Sequence, residues 1–197
     1  MMKVLFAVAS YLVGSIPTGY LLIRAADRKD IRQFGSRSTG ATNVLRVKGL
    51  NYAIPVMLLD ALKGFLPAYL GLRLFHDPSV GAMAGFLAVL GHCFPFSIGF
   101  RGGKGMATSM GAYAALAFPA FLASLAVFVV TAAASRFVSL GSILAALSFP
   151  LFVGLFHGPK PVFFWGLATS ALVVLKHEGN IRRLLTGAER KLGGKSG

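Results

Sequence analysis

The chain has 197 residues, of which 55% are hydrophobic and 13% charged, and its mean hydropathy is +0.71. That composition lies outside the soluble range and predicts an all-α, polytopic integral membrane bundle. The 20 Lys+Arg outnumber the 6 Asp+Glu, but no stretch interleaves basic and aromatic residues on a soluble face, so nucleic acid is excluded as a partner.

The same basic excess suits cytoplasmic loops that face anionic lipid. Cys93 stands alone, which excludes an intrachain disulfide and a thiol-held zinc. His76, His92, His157 and His177 lack metal-ligand spacing, so no metal and no cofactor is expected.

Residues 4–23 carry no charge, enough to cross a bilayer. Lys3 before this run imitates a signal peptide. No small-x-small pattern closes it, however, and Arg24, Arg28, Lys29 and Arg32 follow directly. The order predicts an uncleaved span ending in the cytoplasm, kinked at Pro17. Residues 24–51 form a polar segment holding seven of the twenty basic residues. A second span, residues 52–75, leaves at His76-Asp77-Pro78 on the outside. Within it Asp60 and Lys63 stand three apart on one helix face, the spacing of a structural ion pair. A third span, residues 80–98, delivers Gly99-Phe100-Arg101-Gly102-Gly103-Lys104-Gly105.

Residues 107–135 suit one long tilted span or two short ones hinged at Phe118-Pro119. Two keep Arg136 and the basic tail (Lys176, Arg182, Arg183, Arg190, Lys191, Lys195) on the same side as the glycine loop. Spans at residues 138–156 and 161–175 follow, joined by His157-Gly158-Pro159-Lys160. The expectation is a single domain, residues 1–197, of about seven spans, with the amino terminus outside and the carboxyl terminus cytoplasmic. The cytoplasmic segments are then about 24–51, 98–106, 135–139 and 176–197, and they hold sixteen of the twenty basic residues.

Three polar patches share that side. In the glycine loop, backbone N–H groups can converge while Arg101 and Lys104 add charge, which suits a phosphate. It is not a Walker A loop, because Ile98 replaces the first glycine and Gly105 follows the lysine. Alone it suits a tight cationic membrane turn equally well. In residues 35–48, Gly35 and Gly40 permit tight turns. Ser36, Ser38, Thr39, Thr42 and Asn43 supply donors, and Arg37, Arg46 and Lys48 supply charge, Arg46 with a planar fork. The third patch opens the tail. There His177 and Asn180 lie one helical turn apart, and Glu189 is placed to pair with arginines and hold the fold. Ser139 and Ser142, three apart, are further candidates for this face.

Together, Gly35-Ser36…Gly40-Ala41-Thr42-Asn43…Arg46, Gly91-His92-Cys93-Phe94-Pro95…Gly102-Gly103-Lys104-Gly105-Met106-Ala107-Thr108 and His177…Asn180-Ile181…Arg183-Leu184…Gly187…Glu189 resemble one family. It is the bacterial acyl-phosphate:glycerol-3-phosphate acyltransferase (PlsY) family. Gly14-Ser15-Ile16-Pro17 and Asp60-Ala61-Leu62-Lys63-Gly64 are similar to it too. One departure is Gly35-Ser36-Arg37-Ser38, where the family usually reads Gly-Ser-Gly-Asn, so Arg37 and Ser38 receive no role.

The resemblance implies acyl transfer from acyl phosphate to the 1-hydroxyl of sn-glycerol 3-phosphate, giving lysophosphatidic acid and phosphate. This is the first acylation of bacterial phospholipid synthesis; the charge distribution puts the reaction at the cytoplasmic face of the inner membrane, and a monomer is expected. The resemblance further implies Ser36, Arg46, Lys104, His177 and Asn180 as catalytic residues. It makes Gly102, Gly103 and Gly105 part of the phosphate loop and Glu189 structural, while the reading of the residues themselves adds Gly35, Gly40, Thr42, Asn43, Arg101 and Ser142 as substrate-lining and Asp60 and Lys63 as structural.

Acyl phosphate is already activated, so direct attack without an acyl-enzyme is expected, with either His177 or a substrate phosphate oxygen taking the proton. None of the four histidines begins a His-x-x-x-x-Asp pair, the arrangement used by other acyltransferases. A carrier of organic phosphates is the alternative. It would place polar residues mid-membrane along several helices, where this chain offers chiefly Asp60 and Lys63.

Overall fold

The computed structural model describes residues 1–193; Lys195, counted above with the basic tail, lies outside them. The described residues form ten α-helices and no strand. They pack as two compact units, one of Met1–Leu116 and one of the described residues from Ala117 onward.

The first unit begins with α1 (Met2–Gly14) and α2 (Thr18–Asp27). The kink expected at Pro17 is a full break: α1 ends at Gly14, and Ser15-Ile16-Pro17 stands between the helices. Proline lacks an N–H and drives the residue before it out of helical geometry. The carbonyl of Ile16, left outside both helices, accepts a 2.7 Å hydrogen bond from Lys63 Nζ.

The polar segment is more ordered than its composition predicts. Asp30 caps a short 3₁₀ turn, Ile31–Gln33, by accepting from the Arg32 N–H at 2.9 Å. Then α3 (Ala41–Lys48) packs Val44 with Ile31, with Ile23 of α2, and with Ala53 and Val56 of α4 (Leu50–Phe75), all buried. At the next turn Asp77 caps α5 (Pro78–Cys93) through the Ser79 N–H at 2.9 Å and pairs with Lys3 at 3.0 Å. A 3₁₀ turn, Phe96–Ile98, and the glycine loop lead into α6 (Met106–Leu116).

Helices α4 and α6 touch backbone to backbone. A Cβ on Gly64 would lie 1.9 Å from the Thr108 carbonyl oxygen, and one on Gly111 would lie 1.9 Å from that of Ala61. Small residues at such crossings replace the hydrophobic drive that lipid cannot supply.

The second unit holds α7 (Phe118–Ser135), α8 (Val138–Leu155), α9 (Lys160–Lys176) and α10 (Glu178–Leu185). The division expected in residues 107–135 occurs at Ala117, one residue before the expected hinge, because Pro119 is accommodated in the first turn of α7. Arg136 closes the α7–α8 turn. It accepts from the Leu192 N–H at 2.7 Å and donates from Nη2 to the Leu192 carbonyl at 2.9 Å, tying the tail to that turn.

Among the described residues five segments are long and apolar enough to cross a membrane: Met2–Asp27, taken across its break, Leu50–Phe75, Pro78–Ile98, Phe118–Ser135 and Val138–Leu155. The 11 residues of α6 extend only about 16 Å at 1.5 Å per residue, and α9 has 17 residues.

Candidate active site

One amide organises the first polar patch. Asn43, 1% exposed, accepts the Ser36 N–H at 2.7 Å. Its Nδ2 faces the carbonyls of Ser38 at 2.8 Å, Phe34 at 3.1 Å and Ile31 at 3.3 Å. The Asn43 N–H in turn donates to the Gly40 carbonyl at 3.0 Å, so the start of α3 and the loop before it are locked in one register. Gly35 has φ +59°, and a Cβ there would meet Asn43 Oδ1 at 2.3 Å, which explains the glycine. Ser36 and Thr42 are consequently held half-buried, and Arg46 is exposed one turn along α3 from Asn43. Among the expected substrate contacts, the Asn43 amide is turned inward and shapes the loop.

Arg32 joins this loop to the glycine loop. Its guanidinium holds Asp30 at 2.7 Å, donates to the Ile98 carbonyl at 2.7 Å and lies over the Tyr20 ring at 5.1 Å. The Arg32 guanidinium keeps the Asp30 carboxyl below its ordinary range, against the opposing effect of partial burial.

The glycine loop folds back over the end of α5. Phe100 N–H donates to the Pro95 carbonyl at 2.9 Å, Gly102 N–H to Cys93 at 3.3 Å and Gly103 N–H to His92 at 3.1 Å. Of the N–H groups expected to converge on a phosphate, those of Gly102 and Gly103 are instead turned onto α5. Arg101 is exposed, Lys104 is half-buried, and Gly105, at φ +83°, leads into α6.

Beneath the loop lies a cluster that the sequence only half reveals. Asp60 and Lys63, 1% and 5% exposed, meet at 2.8 Å. The Asp60 carboxylate also accepts from the Thr18 hydroxyl and lies 3.4 Å from His92 Nδ1. His92 was given no role by its spacing; the one signal was its place in the Gly91-to-Pro95 stretch just before the loop.

In the second unit His177, 3% exposed, sits at the junction of α9 and α10, just before the helix on which it was expected. Its Nδ1 lies 2.7 Å from the Val173 carbonyl. A carbonyl only accepts, so Nδ1 carries the hydrogen, and in the neutral ring Nε2 is the basic nitrogen. The His177 carbonyl accepts the N–H groups of Asn180 at 2.8 Å and Ile181 at 2.9 Å.

Glu189 is the hub here. Its Oε1 accepts from Asn180 Nδ2 at 2.6 Å and Ser139 Oγ at 2.7 Å, and its Oε2 accepts from Arg183 Nε at 2.8 Å. Burial pushes this carboxyl up, but the three hydrogen bonds and the Arg183 charge outweigh it and hold it below its ordinary value. Ser142 Oγ donates to the Val138 carbonyl at 2.9 Å in its own helix. Among the described residues no group of three or more His, Cys, Asp or Glu side chains is arranged to hold a metal ion.

These features define a multi-pass helical membrane protein with two cationic loops in one unit and a buried histidine–amide–carboxylate cluster in the other. The family model for glycerol-3-phosphate acyltransferase matches residues 4–187, and the chain belongs to that family. It is 44% identical to the glycerol-3-phosphate acyltransferase of Gloeobacter violaceus, over 94% of this chain and 92% of that one. It is 41% identical to that of Thermoanaerobacter pseudethanolicus, over 100% and 98%. The crystal structure of PlsY (YgiH), an integral membrane glycerol 3-phosphate acyltransferase, superposes in its glycerol 3-phosphate form with a TM-score of 0.94 at 38% identity. That match covers 98% of this chain and 96% of the other. The lysophosphatidic acid form of the same protein gives 0.91 at 37%.

Proposed function

We propose that this acyltransferase moves a fatty acyl group from acyl phosphate to the sn-1 hydroxyl of glycerol 3-phosphate, releasing lysophosphatidic acid and inorganic phosphate. The enzyme class follows from the family; the observation that carries the detailed reading is the Arg32 bridge to Ile98, which ties the Ser36 loop to the Lys104 loop. Two anionic reactants need concentrated positive charge, and Arg46, Arg101 and Lys104 supply it.

The hydroxyl oxygen bonds to the acyl carbon, the acyl carbon–phosphate oxygen bond breaks, and the hydroxyl proton passes to a phosphate oxygen. Its ordinary pKa near ~6 suits that role. Arg46 and Lys104 neutralise the phosphates, while Ser36 and Asn180 orient the reactants and stabilise the oxyanion. Gly35, Gly40, Thr42 and Asn43 shape the first loop and Gly102, Gly103 and Gly105 the second. Ser142 lines the acyl-transfer face, and Asp60, Lys63 and Glu189 hold the fold. His177 positions. If both His177→Ala and His177→Gln lose turnover with substrate affinities intact, and imidazole restores it, His177 is the base and substrate assistance is wrong.

In this reading the chain works as one domain and as a monomer in the bacterial inner membrane. It crosses about seven times, with α6 a short crossing, amino terminus outside and carboxyl terminus inside, and its reaction faces the cytoplasm. The distribution of basic residues supports that orientation. Phosphate release from purified protein only when acyl phosphate and glycerol 3-phosphate are both present supports the reaction. Counterflow of labelled glycerol 3-phosphate in sealed vesicles without release overturns it. Single cysteines placed at Arg46, Lys104 and His177 in a Cys93→Ala background should label from the cytoplasmic side alone; labelling from opposite sides ends the proposal.

A further inference from the structure

Two N–H groups of the glycine loop, those of Gly102 and Gly103, are drawn onto the end of α5. The residue that receives Gly103 is His92, through its backbone carbonyl. The same residue's ring lies directly beneath: a Cβ on Gly103 would stand 2.0 Å from Nε2 and 2.7 Å from Cε1. The other ring nitrogen, Nδ1, lies 3.4 Å from the Asp60 carboxylate. Thus one imidazole fills the space between a buried carboxylate and the loop backbone.

Asp60 is itself fixed in place, by Lys63 at 2.8 Å and by the Thr18 hydroxyl, and Lys63 is anchored on the Ile16 carbonyl. The chain leaving the loop meets the same helix, since Gly64 abuts the Thr108 carbonyl. Helix α4 therefore buttresses the loop on both sides. A carboxylate that needed only charge balance at this depth has Lys63; contact with His92 adds a direction for the ring.

We propose that Asp60 and His92 are positioning residues for the acyl-acceptor site: Asp60 orients the His92 ring, and the ring sets the height and path of Gly102-Gly103-Lys104. This rests on the reading above, in which that loop holds the phosphate of glycerol 3-phosphate. Disturbing the pair should weaken acceptor binding and leave donor binding alone, a split that general loss of fold does not produce.

The test uses the full chain, purified, with KM measured separately for each substrate. His92→Ala and Asp60→Asn are each expected to raise the KM for glycerol 3-phosphate by about tenfold or more, with the KM for acyl phosphate changed less than about twofold. The double variant should be no worse than the more severe single one, because the two act through one ring. His92→Gln, which keeps a polar atom near the Nε2 position, should recover part of the acceptor KM, whereas His92→Asn should not. Gly103→Ala, whose methyl meets the ring, should copy the phenotype from the loop side and carries the test where His92→Ala does not purify. Unchanged acceptor KM in Asp60→Asn and Gly103→Ala, or equal rises for both substrates, overturns the inference. Lys104→Ala separates the two claims. If it raises the acceptor KM while the Asp60 and His92 variants do not, only the positioning role fails; if it too has no effect, the phosphate-loop reading fails first.

Discussion

Replacing Asn43 tests whether the first loop works by being held in shape. Its amide nitrogen has two hydrogens to share among the carbonyls of Ser38, Phe34 and Ile31, and its oxygen accepts from Ser36, so about three bonds are made at once. Each is worth about 0.5–1.5 kcal/mol net, and buried partners left unmet cost about 1–3 kcal/mol each. Gly35 and Arg37 are exposed, so water can reach part of the loop and the lower end applies: about 2 kcal/mol of preference for the observed loop in Asn43→Ala.

At about 1.4 kcal/mol per tenfold, kcat/KM should fall about 30-fold if Ser36 must sit where the loop now holds it. The thermal midpoint should move little, because Val44 and its apolar neighbours are untouched. Asn43→Asp sharpens the test. It keeps the acceptor for Ser36 but turns a carboxylate oxygen toward three carbonyls, and should lose at least as much activity as alanine. Phosphate release with both substrates gives the rate, and tryptic cleavage after Arg37 reports loop opening. Activity within about threefold of wild type in Asn43→Ala, with unchanged cleavage after Arg37, would refute the reasoning.

Lys63→Met strands a buried carboxylate and should cost about 3–5 kcal/mol, seen as a lowered unfolding midpoint in detergent, while Asp60→Asn/Lys63→Met together recover part of it. Gly64→Val drives a side chain into the Thr108 carbonyl and should separate α4 from α6, lowering yield and midpoint. Gly154→Ala, whose nearest neighbours would lie at 3.7 Å, serves as the tolerant control. Glu189 is held below its ordinary pKa of 4.5, so its contribution to stability is complete above that value and is lost as pH falls through the lower folded value. Wild-type protein should therefore lose more stability than Glu189→Gln does as pH is lowered from about 5 to about 3, measured by thermal unfolding across that range.

Hydropathy alone located the long apolar helices, since lipid demands a run of apolar residues wherever the chain crosses. It could not resolve α3: eight residues with two cations give no membrane signal, and their burial comes from Val44 meeting Ile23 and Val56, residues from other parts of the chain. Pro17 announced a disturbance without its size, because whether a proline bends or breaks a helix depends on what satisfies the freed carbonyl. Asp60 and Lys63 were legible as a pair because helical spacing is local. His92 completing their cluster was not, as its contact with Asp60 arises only when α4 packs against α5. Asn43 was legible as a polar group in the right loop, but the direction of its amide was not. Glu189 with Arg183 follows from charge alone; Ser139, fifty residues away, does not.

The interruption at Ser15-Ile16-Pro17 also couples distant parts of the first unit. The Ile16 carbonyl takes two donors, the neighbouring Thr18 N–H at 3.0 Å and, 47 residues downstream, Lys63 Nζ at 2.7 Å. Lys63 brings Asp60 with it as a counter-ion at 2.8 Å, so the break in the first span is joined to an ion pair buried on α4. One oxygen thus carries both the local turn and a long-range anchor, and loosening either end of it slackens the other.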